Sequence, residues 1–180
     1  MVSMNFFFFF MVVVFAIIGA MRGWAKEMMV TFSFVLAMFI LNVIETLVPI
    51  IRDSFAVPGS MAQFWLRTLI LLVLVFFGYQ TPNLPKLGGT RFARERLQDA
   101  LLGVFLGGLN GYLIIGTLWF FMSEANYPFP KYVINPVDCP PGMCDAALRL
   151  LPLLPPVWLK GTTLYILVAV AFVFVIVVFI

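Results

Sequence analysis

The chain has 180 residues, of which 63% are apolar and 11% charged, with a formal net charge of +3 and no histidine. Soluble domains carry about 25% charged residues, so this composition excludes an ordinary water-soluble core and places the chain among membrane proteins. About 20 consecutive apolar residues at about 1.5 Å rise cross the roughly 30 Å of bilayer hydrocarbon, and several stretches meet that length. The first, predicted at 2–21, is part of an uncharged run from Met1 to Met21. MVSMN carries no basic residue and the apolar run is too long for a signal h-region, so this segment is expected to stay as a span and not to be cleaved. The phenylalanines at 6–10 read as bulk facing lipid. A second span is predicted at 28–50, in which Glu45 is the one charge within the apolar part, and a third at 64–81. A fourth covers 99–122, a long connection 123–160 follows, and a fifth span is predicted at 162–180. Backbone amides in lipid must be satisfied within their own element, so the expected fold class is all-α: a single polytopic helix bundle of about five spans over residues 1–180. A β-barrel would show short alternating segments instead of these solid runs.

The connections fall into two sets by side. Arg22, Lys26, Lys86, Arg91, Arg94 and Arg96 sit in two short connections, and KLGGTRFARER at 86–96 is dense in cations. Arg52, Arg67, Lys131, Arg149 and Lys160 are spread more thinly on the other side. Short Lys/Arg-rich loops stay cytoplasmic, which predicts the N-terminus outside and the C-terminus inside. The 123–160 connection is then extracytoplasmic. Its CPPGMC motif holds the only two thiols, Cys139 and Cys144. Two cysteines flanking Pro-Pro-Gly can meet across a tight turn, and an oxidising compartment favours a disulfide between them. Free thiols are the other reading; a zinc site lacks ligands.

GAMRGWAKE at 19–27 reads as the turn between spans one and two. Its glycines permit reversal, Trp24 suits the headgroup region, and Glu27 favours the N-terminal end of the next helix. In the fourth span Gly103, Gly107 and Gly111 recur every four residues, with Gly108 and Gly116 nearby, so one helix face is smooth enough for close backbone approach. The partner of that face is either another span of this chain or a second copy.

Together these segments resemble the CvpA family, the colicin V production membrane proteins. The family's first connection is similar to Gly-x-x-Arg-Gly-x-x-Arg/Lys-Glu, matched here by Gly19, Arg22, Gly23, Lys26 and Glu27. Its later signature is matched by Asp99, Gly103, Gly107 and Gly111, while Ala100 and Asn110 stand where the family usually or frequently has arginine. DAALRLLPLLPPVW resembles the family's amphipathic, proline-containing C-terminal stretch, and the last span is additional to the usual four. The resemblance covers roughly residues 6–155. It implies a bacterial cytoplasmic membrane and a part in export or envelope maintenance, with no biochemical activity attached.

An ionisable group in hydrocarbon is costly and by default raises a functional hypothesis. Glu45 is the candidate, with Asn42 on the same helix face and Arg67 opening the next span on the same side. One reading is an ion or proton path lined by Asn42, Glu45 and Arg67. The other, which fits the single intramembrane charge better, is an ion pair of Glu45 with Arg67 joining spans two and three. Asn110 among the glycines reads as an interhelical hydrogen bond, worth on the order of 1 kcal/mol.

The sequence offers little support for catalysis: it has no histidine and no phosphate-binding loop, since LGGLNG lies within a span and follows no strand. An enzyme is not expected, and neither a metal nor a cofactor, although bound lipid fits the chain, and the basic 86–96 connection suits anionic headgroups. Partners are expected to be membrane lipids and other membrane subunits or a second copy, with no nucleic acid. Two functions fit: a CvpA-like packing or scaffolding protein, or a noncatalytic accessory subunit of a larger respiratory or photosynthetic complex. A channel or transporter ranks below both for want of broken helices or an internal repeat. Whether 145–158, with Pro152, Pro155 and Pro156, lies on the surface or dips into the bilayer is open at this level.

Overall fold

A computed structural model describes residues 4–54, 57–80, 93–130, 133, 135–139 and 144–179. These contain α1 (Met4–Arg22), α2 (Trp24–Leu47), α3 (Pro49–Ser54), α4 (Met61–Tyr79), α5 (Ala93–Glu124), α6 (Asp145–Leu150), α7 (Pro155–Trp158) and α8 (Thr162–Phe179). Short 3-10 turns occupy Pro136–Asp138 and Leu151–Leu153, and no strand occurs among the described residues. The chain is all-helical. Four helices, α1, α2, α4 and the Arg96–Glu124 part of α5, are each long and apolar enough to cross a membrane. A fifth crossing results if Asp145–Trp158 and Thr162–Val177, bent by 58°, form one span. Most of the basic 86–96 connection lies outside the described residues.

Local chemistry sets the boundaries. The expected turn between spans one and two is a break of one residue: Gly23, at φ 83° and ψ 159°, separates α1 from α2. A positive φ is cheap only for glycine. At its other end α2 stops at Leu47, short of the expected residue 50, because Val48 (φ −100°, ψ 101°) precedes Pro49, and a residue before proline is pushed out of the helical region. The helix resumes as α3. Ser60 opens α4 by accepting a hydrogen bond from the Gln63 N–H, which satisfies one of the free amides of the first turn.

α1 packs along the length of α5, and α2 sits centrally against α4, α5 and α8. Val30, Phe34, Ala37 and Leu41 recur at helical spacing on α2 and form the main core with Leu71 and Val75 of α4, Leu113 and Ile114 of α5, and Leu164 of α8. A second cluster gathers Phe8, Trp119, Tyr127, Ala147 and Leu154. Within the phenylalanine run, Phe6, Phe7, Phe9 and Phe10 face outward, but Phe8 is buried against Trp119 and Tyr112.

The 123–160 connection folds back onto the bundle. A β-carbon at Gly116 would lie 2.8 Å from Pro155 Cδ, so α5 is cut away there to admit the proline. The Tyr112 hydroxyl donates to the Leu153 carbonyl and accepts from the Trp158 indole N–H at 3.2 Å. Gly116 precedes Glu124, the end of α5, by eight residues, about 12 Å along a helix. The segment 145–158 therefore dips beside α5 instead of lying flat at its end. Exposed backbone at that depth needs partners from the protein, and Tyr112 supplies one.

Candidate functional site at the α1–α2–α5 junction

The two sequence motifs, far apart in the chain, meet in space. Gly19 of α1 lies against Gly103 and Gly107 of α5, and Gly111 lies against Val12 and Phe15. A β-carbon at Gly107 would be 2.9 Å from the Gly19 Cα, and one at Gly111 would be 2.8 Å from the Phe15 Cβ. Only hydrogen fits between these backbones. The glycine face is thus taken by α1 of the same chain. Beyond it, Asp99 sits beside Gly23 and accepts from the Trp24 N–H at 3.1 Å. A carboxylate from α5 so does for α2 what an N-cap side chain does within one helix.

One turn further in lies a carboxylate with no exposed surface. The Glu27 side chain is 0% exposed. Its Oε1 accepts from Arg22 Nη1 at 2.8 Å and its Oε2 from Asn110 Nδ2 at 2.8 Å. Asn110 Nδ2 also donates to the Glu27 carbonyl at 2.9 Å, and Asn110 Oδ1 accepts from the Thr31 hydroxyl at 2.7 Å. Arg22 donates its other terminal nitrogen to the Tyr79 carbonyl at 3.1 Å, with its guanidinium 4.3 Å from the centre of the Tyr79 ring. Every one of these bonds crosses between elements, the Arg22–Glu27 bond doing so over the one-residue break at Gly23. Charge is balanced, and both amide hydrogens of Asn110 are used, which is the condition for keeping a buried ion pair. Lys26, half-buried, takes no part in these bonds.

A second polar group ties the opposite end. Arg67 of α4 grips Glu45 of α2 through two bonds, Nε to Oε1 at 2.6 Å and Nη2 to Oε2 at 2.8 Å, and its Nη1 bonds Glu124 of α5. Bidentate geometry of this kind fixes direction as well as charge. Asn42 does not join it. Its amide donates to the Tyr165 hydroxyl at 3.0 Å and fastens α8 to α2. Glu27 and Glu45 are eighteen residues apart on α2, about 27 Å, and the buried residues between them on its packed face are Val30, Phe34, Val35, Ala37, Met38 and Leu41. On α2 the two polar groups are separated by apolar packing, while on α5 the buried Thr117, whose hydroxyl has no hydrogen-bond partner among the described residues, lies midway between Asn110 and Glu124.

Cys139 and Cys144 are joined by a disulfide, with Cα atoms 6.0 Å apart. No cluster of three His, Cys, Asp or Glu side chains placed to hold a metal occurs among the described residues.

Sequence reasoning placed Glu27 at a helix start and missed its burial. The available signal was Thr31, four residues on and therefore on the same face. Glu124, Tyr79 and Tyr165 carried no local signal, since each acts through a residue 57 or 123 positions away. Comparison of the chain with family models, with curated proteins and with solved structures returns no match.

Proposed function

We infer that this chain is a noncatalytic, multi-pass membrane protein that acts by packing or scaffolding, CvpA-like, in export or envelope maintenance at a bacterial cytoplasmic membrane. The observation that carries this reading is where the polar groups go. Glu27, Arg22 and Asn110 are consumed by one another, as are Glu45, Arg67 and Glu124, and the glycine face is filled by α1. What the bundle offers outward is apolar: Phe6, Phe10, Ile17 and Met21 on α1, and Leu69, Phe76 and Phe77 on α4. Such a surface serves lateral association in a bilayer better than it serves turnover of a polar substrate. The junction of the Gly-x-x-Arg-Gly and Asp-x-x-x-Gly-x-x-x-Gly segments supports the CvpA-like part of the reading. The cation-rich short connections support an N-terminus outside the cell.

A second reading, an accessory subunit of a larger membrane complex, is favoured by α8. Among the spanning helices it packs mainly on α2, and it presents Ile166, Val170, Phe172, Val173 and Val177 outward. The dip at Pro155 suits a channel or transporter, and the apolar run on α2 between its two polar groups opposes that role. Extraction in mild detergent, followed by size measurement and identification of co-purifying chains, tests the proposal. A discrete homo-oligomer supports the scaffold; stoichiometric recovery with a large complex supports the subunit; a chain soluble without detergent overturns both.

A further inference from the structure

α6 is held to the bundle by little of its own. It has six residues, Asp145–Leu150, well under the roughly 12 that an isolated helix needs in water. Cys144 at its N-cap makes no side-chain capping bond, so the first turn lacks the usual local support. Its one buried side chain is Ala147, which joins Phe8, Trp119, Tyr127 and Leu154 in the smaller core cluster. Among the spanning helices α6 packs mainly on α1, and no described residue of 139–154 belongs to the main core. What fixes the start of α6 is covalent. Cys144 is bonded to Cys139, which directly follows the 3-10 turn Pro136–Asp138, and α6 packs on that turn. The turn has its own cap, Asn135 Oδ1 accepting from the Val137 N–H at 3.1 Å. Both cysteines are half-buried, so a small thiol can approach them. Beyond α6 the chain is anchored separately, by Pro155 against Gly116 and by the Tyr112 bonds to Leu153 and Trp158.

We propose that the Cys139–Cys144 bridge is a redox-sensitive latch: closed, it docks α6 on the Phe8–Trp119 cluster; opened by a dithiol, it frees α6 while the spans stay folded. A thiolate of the dithiol attacks one bridge sulfur and forms a mixed disulfide, which the second thiol of the same molecule then resolves. The products are two cysteine thiols and the disulfide of the dithiol, two electrons and two protons having passed to the protein. Opening uncovers part of a cluster in which Phe8 and Trp119 are 3% and 1% exposed, so an apolar surface beside the α1–α5 seam exists only in the reduced state. The seat at Pro155 keeps the far end in place, and α6 can therefore return when the bridge re-forms. The latch goes beyond the scaffold role and does not depend on it.

Arg149 supplies the readout. Its side chain is exposed but its backbone is helical, so trypsin cuts after it only when α6 opens. The full-length protein in mild detergent is digested with and without dithiothreitol, and the fragments are identified by mass. Cleavage after Arg149 is expected to rise at least several-fold on reduction and to fall back when the bridge is re-formed with an oxidant, the unfolding midpoint of the spans staying where it was. The double variant Cys139→Ser, Cys144→Ser is expected to be cut at the reduced rate without any reductant. Cleavage that reduction leaves unchanged overturns the latch, because packing alone then holds α6. A midpoint that falls on reduction, with cuts spreading to Lys26 or Arg67, overturns it too, since the bridge then staples the whole bundle. Failure of the double variant to fold counts the same way.

Discussion

Asn110 of α5 donates one amide hydrogen to the Glu27 backbone carbonyl and the other to the Glu27 carboxylate, at 2.9 and 2.8 Å, across 83 residues of chain. One side chain thus satisfies a helix carbonyl and half of a buried charge. The pair holds α2 against α5 where the glycine seam holds α1. Asn110→Leu keeps the size and removes both donors. It is expected to lower stability by about 1–2 kcal/mol, an interhelical polar bond in a membrane being worth that much at most. Unfolding midpoints in mixed detergent read the change, and an unchanged midpoint would show that Glu27 is held by Arg22 alone.

Gly107→Ala brings a methyl group within 2.9 Å of the Gly19 Cα, where the obstacle is backbone that cannot turn aside. The expected cost is about 1–3 kcal/mol, as for other overpacked sites. Gly108→Ala is the control: its methyl would sit 3.6 Å from the Ala16 Cβ, an ordinary contact, and it is expected to be neutral or stabilising. Equal effects of the two substitutions would argue against the α1–α5 seam.

Arg67→Met leaves Glu45 and Glu124 facing each other without their cation. Arg67 and Glu45 are 17% and 20% exposed, between a surface pair and a buried one, so a loss of about 1–3 kcal/mol is expected after allowing for solvent screening. Glu45→Gln retains one acceptor and is expected to cost less. Reconstituted vesicles should show no altered ion flux for Glu45→Gln; flux that changes while assembly stays normal would restore the ion-path reading.

The thiols of Cys139 and Cys144 are expected to resist alkylation in the denatured, unreduced protein and to take two adducts after reduction, read by mass. Full alkylation without reductant refutes the bridge.

Tyr127 follows the end of α5 with φ 53°, is 5% exposed, and its hydroxyl accepts from the Trp119 indole N–H at 3.1 Å. Burial raises its phenol above the ordinary tyrosine value of 10.0, and the Trp119 bond pulls the other way by less. The folded chain keeps the proton that the unfolded chain releases first. Stability is therefore constant below that ordinary value and falls as pH rises through it. Phenolate absorbance during alkaline titration checks this: Tyr127→Phe should remove one late-ionising phenol, and removal of an early one would contradict the burial.

Much of the architecture was legible because bilayer physics acts on runs of sequence. Uncharged stretches of about 20 residues mark spans wherever they pack, glycines four apart make a smooth face in any helix, and two cysteines flanking Pro-Pro-Gly are close before anything else folds. Glu45 and Arg67 were legible as a pair because both sit at span ends on one side. Tertiary structure alone decided which surfaces meet. It gave the glycine face to α1, sent Asn42 to Tyr165, brought Glu124 to Arg67, buried Glu27 under Asn110 and seated Pro155 in the notch at Gly116. The physical reason is one of range: helical periodicity gives each residue a direction around its own axis, whereas the identity of the neighbour depends on how whole helices cross and tilt, to which residues scores of positions apart contribute together.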